Sequence, residues 1–122
     1  MNGASKIMDA NEKKQARAYI GEHIDISKAR LTDHEAVELR DFIDKYDEYK
    51  GKTRTQTTED DGFSSDGKYT YKRTFTHTFT DDIGIREDFE YSDDDGGHSK
   101  TTKEIKDARG ILNLLHEYRP WK

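Results

Sequence analysis

Apolar residues recur at helical spacing in two segments near the start of the chain. In residues 9–20, which are rich in helix-forming residues, Ala16, Tyr19 and Ile20 lie three and four positions apart, and Gly21 follows. In the second segment Thr32 and Glu35 form a capping box, in which each side chain accepts from the backbone of the other. The stripe that follows is Ala36, Leu39, Phe42, Ile43, Tyr46 and Tyr49, ending before Gly51. These patterns predict two helices.

The apolar period changes from 3.6 to 2 after residue 51, which predicts strands. Residues 52–58 alternate Thr with long polar side chains, a pattern typical of an edge strand, and Ser65-Asp66-Gly67 is a turn sequence. One face of the second strand carries Tyr69, Tyr71, Phe75 and Phe79, and the third strand carries Ile83, Ile85, Phe89 and Tyr91. After the turn at Asp81-Asp82, the same alternation therefore continues. We expect a three-stranded antiparallel meander with its aromatic face covered by helices and a threonine-rich face outside.

Helical spacing returns at the end of the chain. Ser99 is a suitable N-cap, and Gly110 falls inside the predicted helix, where its cost relative to alanine implies a close neighbour. The stripe is Ile105, Ala108, Ile111, Leu112, Leu115 and Tyr118. The predicted fold is α+β, in the order α-α-β-β-β-α. Residues 1–8 are predicted to form a flexible tail and residues 9–122 a single domain.

Composition predicts a thin core. Charged residues make up 39% of the chain and the net charge is −5, whereas Leu, Ile, Val and Phe together make up about 16%. The sequence has no cysteine, which excludes disulfides and thiolate metal sites. The first residues lack the apolar segment of a secretion signal, so we expect a soluble cytoplasmic protein.

Motifs for catalysis or cofactor binding are absent from the sequence. Neither Asp93-Asp94-Asp95 nor Glu59-Asp60-Asp61 fits the calcium-loop template, and the five histidines lack zinc-site spacing. No phosphate-binding glycine loop or nucleophile motif occurs. We therefore expect no catalytic residues, no metal and no cofactor. His77 falls on the aromatic face, where a histidine hydrogen-bonded to backbone at the sheet margin is the favoured interpretation over a tuned acid or base.

Charge is distributed unevenly along the chain. Residues 59–95 contain twelve acidic and four basic residues, whereas residues 96–122 contain three acidic and six basic residues. The two acidic clusters before the second strand and after the third can fall at one end of the sheet, where they would attract a basic surface and repel phosphates. The candidate partner-binding residues are Glu59, Asp60, Asp61, Asp66, Asp81, Asp82, Asp93, Asp94 and Asp95.

These observations predict a small acidic binding or inhibitor protein, without enzymatic activity, whose partner is a basic protein such as a nuclease or another nucleic-acid-handling protein. Small inhibitors of phages and mobile elements use this strategy, and the analogy is one of size and charge only. Two alternatives stay open. One is self-association, for instance as a homodimer, through an aromatic patch of Tyr46, Tyr49, Tyr118 and Trp121. The other is weak nucleic-acid binding by Lys100, Lys103, Lys106 and Arg109 along the last helix.

Overall fold

The computed structural model describes residues 8–117, which form an α+β domain of two N-terminal helices, an antiparallel sheet and a C-terminal helix. All four strands follow one another as a meander in the order β1-β2-β3-β4. The helices are α1 (Ala10–Gly21), α2 (Asp33–Asp44), the single turn α3 (Tyr46–Tyr49) and α4 (Ala108–Glu117), and the strands are β1 (Thr53–Ser64), β2 (Gly67–Phe79), β3 (Ile85–Asp93) and β4 (His98–Ile105).

Capping boxes start both N-terminal helices. At α2 the Thr32 hydroxyl accepts from the Glu35 amide at 3.1 Å and the Glu35 carboxylate accepts from the Thr32 amide at 3.0 Å, as the sequence predicts. Asp9 and Glu12 do the same for α1. Each box satisfies two amides that have no partner inside the helix. Residues 1–7, most of the predicted N-terminal tail, lie outside the described range, whereas Met8 is buried in the core.

The hydrophobic core is built mainly by the helices. Strands β2 and β3 contribute Phe79, which is 1% exposed, and Ile85, and the Phe79 ring packs against Phe42, Tyr46 and Tyr49. The largest fully buried side chains are Phe79, Ile20, Leu39, Ile85, Ile111 and Leu112. The core therefore meets the sheet at one end, which we call the proximal end.

Tyr46 joins this end of the sheet to the helices. Its buried hydroxyl lies 2.7 Å from the Thr80 carbonyl oxygen and 2.8 Å from that of Gly84, and it accepts from the Gly84 amide at 3.3 Å. Burial raises the pKa of this phenol. Because one hydroxyl proton serves neighbouring carbonyls in turn, Tyr46 holds the β2–β3 loop closed over the core.

The predicted count of three strands is wrong, because residues 98–105 form a fourth strand. Phe89 pairs with Thr101 and Ile85 with Ile105 along the β3–β4 ladder. The segment 98–104 contains no apolar residue, so the helical stripe of the sequence begins only at Ile105. Backbone pairing with β3 therefore determines its conformation, and α4 starts after residue 107 instead of at a Ser99 cap.

Gly110 lies in the first turn of α4 and has the close neighbours that its position implies. A Cβ atom there would lie 2.7 Å from both Asp107 Oδ1 and Ile105 Cγ2. The Asp107 carboxylate also accepts from the Gly110 amide at 2.9 Å. The glycine thus allows strand β4 to turn tightly into α4.

Helix coverage of the aromatic sheet face is also smaller than the sequence predicts. Phe79 lies in the core, but Phe75 and Phe89 are half-buried and outside it, as are Tyr69 and Tyr71. The thirteen residues of β2 span about 43 Å at 3.3 Å per residue, longer than any of the helices. The sheet consequently projects beyond the helices, and its far end, formed by the β1–β2 and β3–β4 turns, is called the distal end below.

Threonines hold β1 and β2 together on the opposite face of the sheet. The hydroxyls of Thr55 and Thr76 lie 3.2 Å apart, and two more pairs repeat the contact. These are Thr53 with Thr78 and Thr57 with Thr74. The threonine-rich outer face that the sequence predicts is therefore confirmed, and it extends over two strands.

Ion pairs connect α4 to α2. The Arg109 guanidinium binds both Glu35 carboxylate oxygens and donates to the Arg30 carbonyl at 3.0 Å. Farther along, His116 Nε2 lies 2.9 Å from the Glu38 carboxylate. Hydrogen bonding from Arg109, and then from the Thr32 amide, lowers the pKa of Glu35 to about 2. No helix in the described range is long and apolar enough to span a membrane.

The packing predicts different costs for two phenylalanines of one strand face. Phe79→Ala should lower the free energy of unfolding by about 3–5 kcal/mol, because it empties a buried site. Phe75→Ala should cost less than about 2 kcal/mol, because the ring is already half in water. Urea denaturation followed by circular dichroism measures both. Equal losses would contradict the limited helix coverage described above.

The Glu35–Arg109 pair predicts acid sensitivity. The Glu35 pKa is depressed in the folded state, so its contribution is complete above the ordinary value of 4.5 and is lost as the pH falls towards 2. Glu35→Gln should therefore destabilise the protein at neutral pH and much less at pH near 2. Urea midpoints across this range give the comparison, with Asp47→Asn on the α3 turn as the control. A Glu35→Gln effect independent of pH would exclude this pair as the cause.

Candidate functional site

Strand register brings most of the predicted acidic residues to the distal end. Asp60 pairs with Tyr71, which in turn pairs with Asp93, and Asp66 lies in the β1–β2 turn. The distal residues are Glu59, Asp60, Asp61, Asp66, Asp93, Asp94 and Asp95. Asp81 and Asp82 lie at the proximal end, in the β2–β3 turn. The structure therefore separates one of the predicted clusters from the other two.

Two of these carboxylates are neutralised locally. Asp61 lies 3.0 Å from the Lys68 ammonium, which lowers its pKa, and Glu59 lies 3.6 Å from that of Lys72. The sequence interpreted residues 59–61 as a loop, but the structure includes them in β1, where each faces a residue of β2. Cross-strand pairing thus accounts for Glu59 and Asp61.

Asp93 organises the β3–β4 turn. Its carboxylate accepts from the Tyr91 hydroxyl at 2.8 Å, the Asp95 amide at 3.0 Å and the Gly97 amide at 2.7 Å. These bonds, led by that of Tyr91, lower the pKa of Asp93, and the same contact raises the pKa of Tyr91 to about 12. A Cβ atom at Gly97 would lie 2.3 Å from this carboxylate. Asp93 therefore has a structural role.

Asp94 extends the pairing of β2. Its amide donates to the Thr70 carbonyl and its carboxylate accepts from the Thr70 amide, both at 3.1 Å. By contrast, Asp66 and Asp95 are exposed and their carboxylates form no ion pair with any residue between 8 and 117. Asp60 is exposed and accepts only from the Asp61 amide within that range. Asp60, Asp66 and Asp95 are thus the distal carboxylates most open to a partner.

Aromatic side chains line the sheet face beside these acids. The Phe75 and Phe89 ring centroids lie 4.8 Å apart, those of Tyr71 and Tyr91 lie 5.9 Å apart, and Tyr69 lies 6.0 Å from Tyr71. All five are half-buried and lie outside the core. We call this set of Tyr69, Tyr71, Phe75, Phe89 and Tyr91 the aromatic row. The sequence placed them on one face but predicted that helices cover it.

Gly62 allows the distal end of this row to lie flat. A Cβ atom at Gly62 would lie 2.5–2.9 Å from atoms of the Tyr69 ring, its cross-strand partner. The ring therefore covers the backbone of β1 where any other residue would displace it. The functional meaning of this glycine was not apparent in the sequence, although an isolated glycine within a strand pattern is a known signal of close backbone approach.

Arg73 lies within the aromatic row. Its guanidinium carbon is 5.4 Å from the Tyr71 ring centroid, which is a cation–π contact. Its neighbour Tyr71 is flanked in register by Asp60 on β1 and Asp93 on β3. This part of the sheet therefore already binds a guanidinium group between carboxylates.

His77 is buried, with 4% exposure, and its partner is a carboxylate instead of the backbone group expected. Its Nε2 lies 2.9 Å from Glu87, whose other oxygen lies 3.6 Å from the Lys103 ammonium, and its ring stacks on Phe75. A cavity of about 240 Å³ adjoins them, between the sheet and α4. The pair is able to exchange a proton, but absence of catalysis stays a prediction. No set of three or more metal-binding side chains occurs within residues 8–117.

The basic residues near the C terminus do not form the predicted helical stripe. Lys100 and Lys103 lie on β4, where their pairing with Glu90 and Glu87 places them on opposite faces. Lys106 pairs with Glu104 and Arg109 with Glu35. The predicted aromatic patch is also divided, since Tyr46 is buried, Tyr49 is half-buried, and Tyr118 and Trp121 lie outside the described residues.

Fold and surface together define an α+β domain with a projecting sheet, acidic and aromatic at its distal end. The chain matches no protein-family model, no curated protein and no solved structure in comparisons with known proteins.

The turn geometry predicts different effects for two neighbouring acids. Asp93→Ala removes the acceptor of three hydrogen bonds and should lower the urea midpoint, whereas Asp95→Ala removes none and should leave it unchanged. Asp93→Ala should also return the Tyr91 pKa from about 12 towards the ordinary phenol value. Urea denaturation and tyrosine ring-carbon NMR titration measure the two effects. Equal midpoints for both variants would remove the structural role assigned to Asp93.

Proposed function

We propose that the protein is a small acidic binding or inhibitor protein that engages a basic partner, such as a nuclease or another nucleic-acid-handling protein, through the distal end of its sheet. The observation that carries this proposal is the strand register, which gathers seven of the nine predicted carboxylates there. Asp81 and Asp82 are excluded from the proposed surface, because they lie at the other end.

Structural roles leave enough charge for this function. Lys68 and Lys72 offset Asp61 and Glu59, and Asp93 is bound within its turn. Asp66 and Asp95 are the exposed acids of the two adjacent turns. Such a grouping creates a negative field that accelerates encounter with a basic surface and opposes approach of phosphate groups.

Placing like charges on two turns also limits competing interpretations. A carboxylate whose only task is to close a turn needs hydrogen bonds, as Asp93 has, but the exposed carboxylates of Asp66 and Asp95 have none within residues 8–117. Solubility requires only that charge be present, wherever it lies. A functional surface requires it at one place, so the position of the charge is the property to test.

The chain provides a matched pair of variants for this test. Asp66→Lys with Asp95→Lys reverses charge at the distal end, and Asp81→Lys with Asp82→Lys reverses the same number of charges at the proximal end. All four residues are exposed. Wild type and both variants would serve as bait in lysate of the cells that express the protein, and association rates would then be measured with the captured partner.

We expect a basic protein to be captured by wild type and by the proximal variant and lost with the distal variant. Its association with the distal variant should slow by about tenfold at low salt and less at high salt, where charges are screened. Melting temperatures of both variants should remain near wild type. Capture of the same proteins by both variants, at equal rates, would sink the proposal and leave the charge a determinant of solubility.

A further inference from the structure

The aromatic row is not explained by stability of the fold. Its five side chains lie outside the core, half in contact with water, on a sheet face that the helices leave exposed at the distal end. The rings are nevertheless ordered in contact across two strands, from the Phe75–Phe89 pair to Tyr69. A continuous aromatic surface of this kind is typical of a binding site.

The structure indicates which chemical group this surface accepts. Arg73, on the same face, places its guanidinium 5.4 Å from the centre of the Tyr71 ring. A tyrosine face attracts cations through the negative charge of its π system, and guanidinium, being planar and weakly hydrated, stacks on it better than ammonium does. Arg73 is therefore an internal example of the contact that a partner's arginine would make.

Carboxylates complete the environment of such a group. Asp60 and Asp93 pair in register with Tyr71 from the two sides, so they lie about 10 Å apart across β2 on the same face. An arginine stacked near Tyr71 would have an anion on either side, and Asp60 retains an exposed side chain. Aromatic ring and carboxylate together bind arginine more specifically than charge alone.

Other occupants of the row meet unfavourable charge. Aromatic rings on a sheet also stack with bases of single-stranded nucleic acids, but the phosphates would approach the exposed carboxylates of Asp60, Asp66 and Asp95. A second copy placed face to face would bring the same carboxylates together. Charge complementarity therefore favours a basic polypeptide.

We propose that the aromatic row binds an arginine-rich segment of a partner protein, with guanidinium groups stacked on Tyr69, Tyr71 and Tyr91 and paired with Asp60. This inference rests on the proposed function, which it deepens by selecting arginine over lysine. The acidic turns attract the segment, and the row discriminates between its side chains.

The test compares two peptides of equal length and charge, one alternating arginine with glycine and one alternating lysine with glycine, by fluorescence anisotropy at low salt. Wild type should bind the arginine peptide about tenfold more tightly than the lysine peptide, since only guanidinium stacks. Tyr71→Leu should remove most of that difference, whereas Phe63→Leu should preserve it. Phe63 is a suitable control because it is 81% exposed and lies on the opposite face of the sheet.

Arg73→Lys provides a second variant, which keeps the charge and frees the Tyr71 ring from its internal guanidinium. It should strengthen binding of the arginine peptide by about threefold and leave that of the lysine peptide unchanged. Tyr69→Leu, at the margin of the row, repeats the Tyr71→Leu test without disturbing the Tyr71–Tyr91 contact. Melting temperatures establish that each variant is folded.

Equal affinities for both peptides, insensitive to Tyr71→Leu, would overturn the arginine inference. The proposed function would survive that result if Asp66→Lys with Asp95→Lys weakened both peptides equally. Binding of an oligothymidylate probe that depends on Tyr71 would overturn it in favour of single-stranded nucleic acid. Concentration-dependent dimerisation abolished by Tyr71→Leu would overturn it in favour of a second copy. Failure of wild type to bind either peptide would also overturn it, while the lysate capture decides the proposed function separately.

Discussion

The structure depends on one apolar rung that crosses three strands at the proximal end of the sheet. Phe79 on β2 pairs with Ile85 on β3, which pairs with Ile105 on β4. Phe79 and Ile85 are buried among the helices, and Ile105 packs at the edge of the same core. In a chain with so few aliphatic residues, this rung is where hydrophobic burial joins sheet and helices. Beyond it, backbone pairing and cross-strand side-chain contacts maintain the sheet.

Because the sheet is anchored at one end, its two faces differ in kind. The outer face is stabilised by threonine pairs such as Thr55 with Thr76. The inner face changes along its length from the buried Phe79 to the half-buried aromatic row. The row extends the pattern of the core past the end of the core itself. Side chains that would stabilise a larger domain are thereby available to contact another molecule.

The carboxylates divide in the same way. Asp93 shapes a turn, Asp61 pairs across strands, and Glu35 fixes α4 to α2 through Arg109. Asp66 and Asp95 do none of these within the described chain. High acidic content is therefore not one property with one explanation. The acids with structural partners determine the shape of the distal end, and the exposed ones give it the field on which the proposed function depends.

The sequence alone determined the fold class, the capping box of Thr32 and Glu35, the threonine-rich outer face and the unequal distribution of charge, because each is a local pattern of caps, periods or residue counts. It did not determine β4, since residues 98–104 have no apolar period and only pairing with β3 makes them a strand. Nor did it show that helices cover Phe79 and leave Phe75 half-exposed, because parity assigns a face but not the length of that face beneath the helices. Tertiary structure decided both, through strand register, which also placed Asp60 and Asp93 on either side of Tyr71 and moved Asp81 and Asp82 to the opposite end.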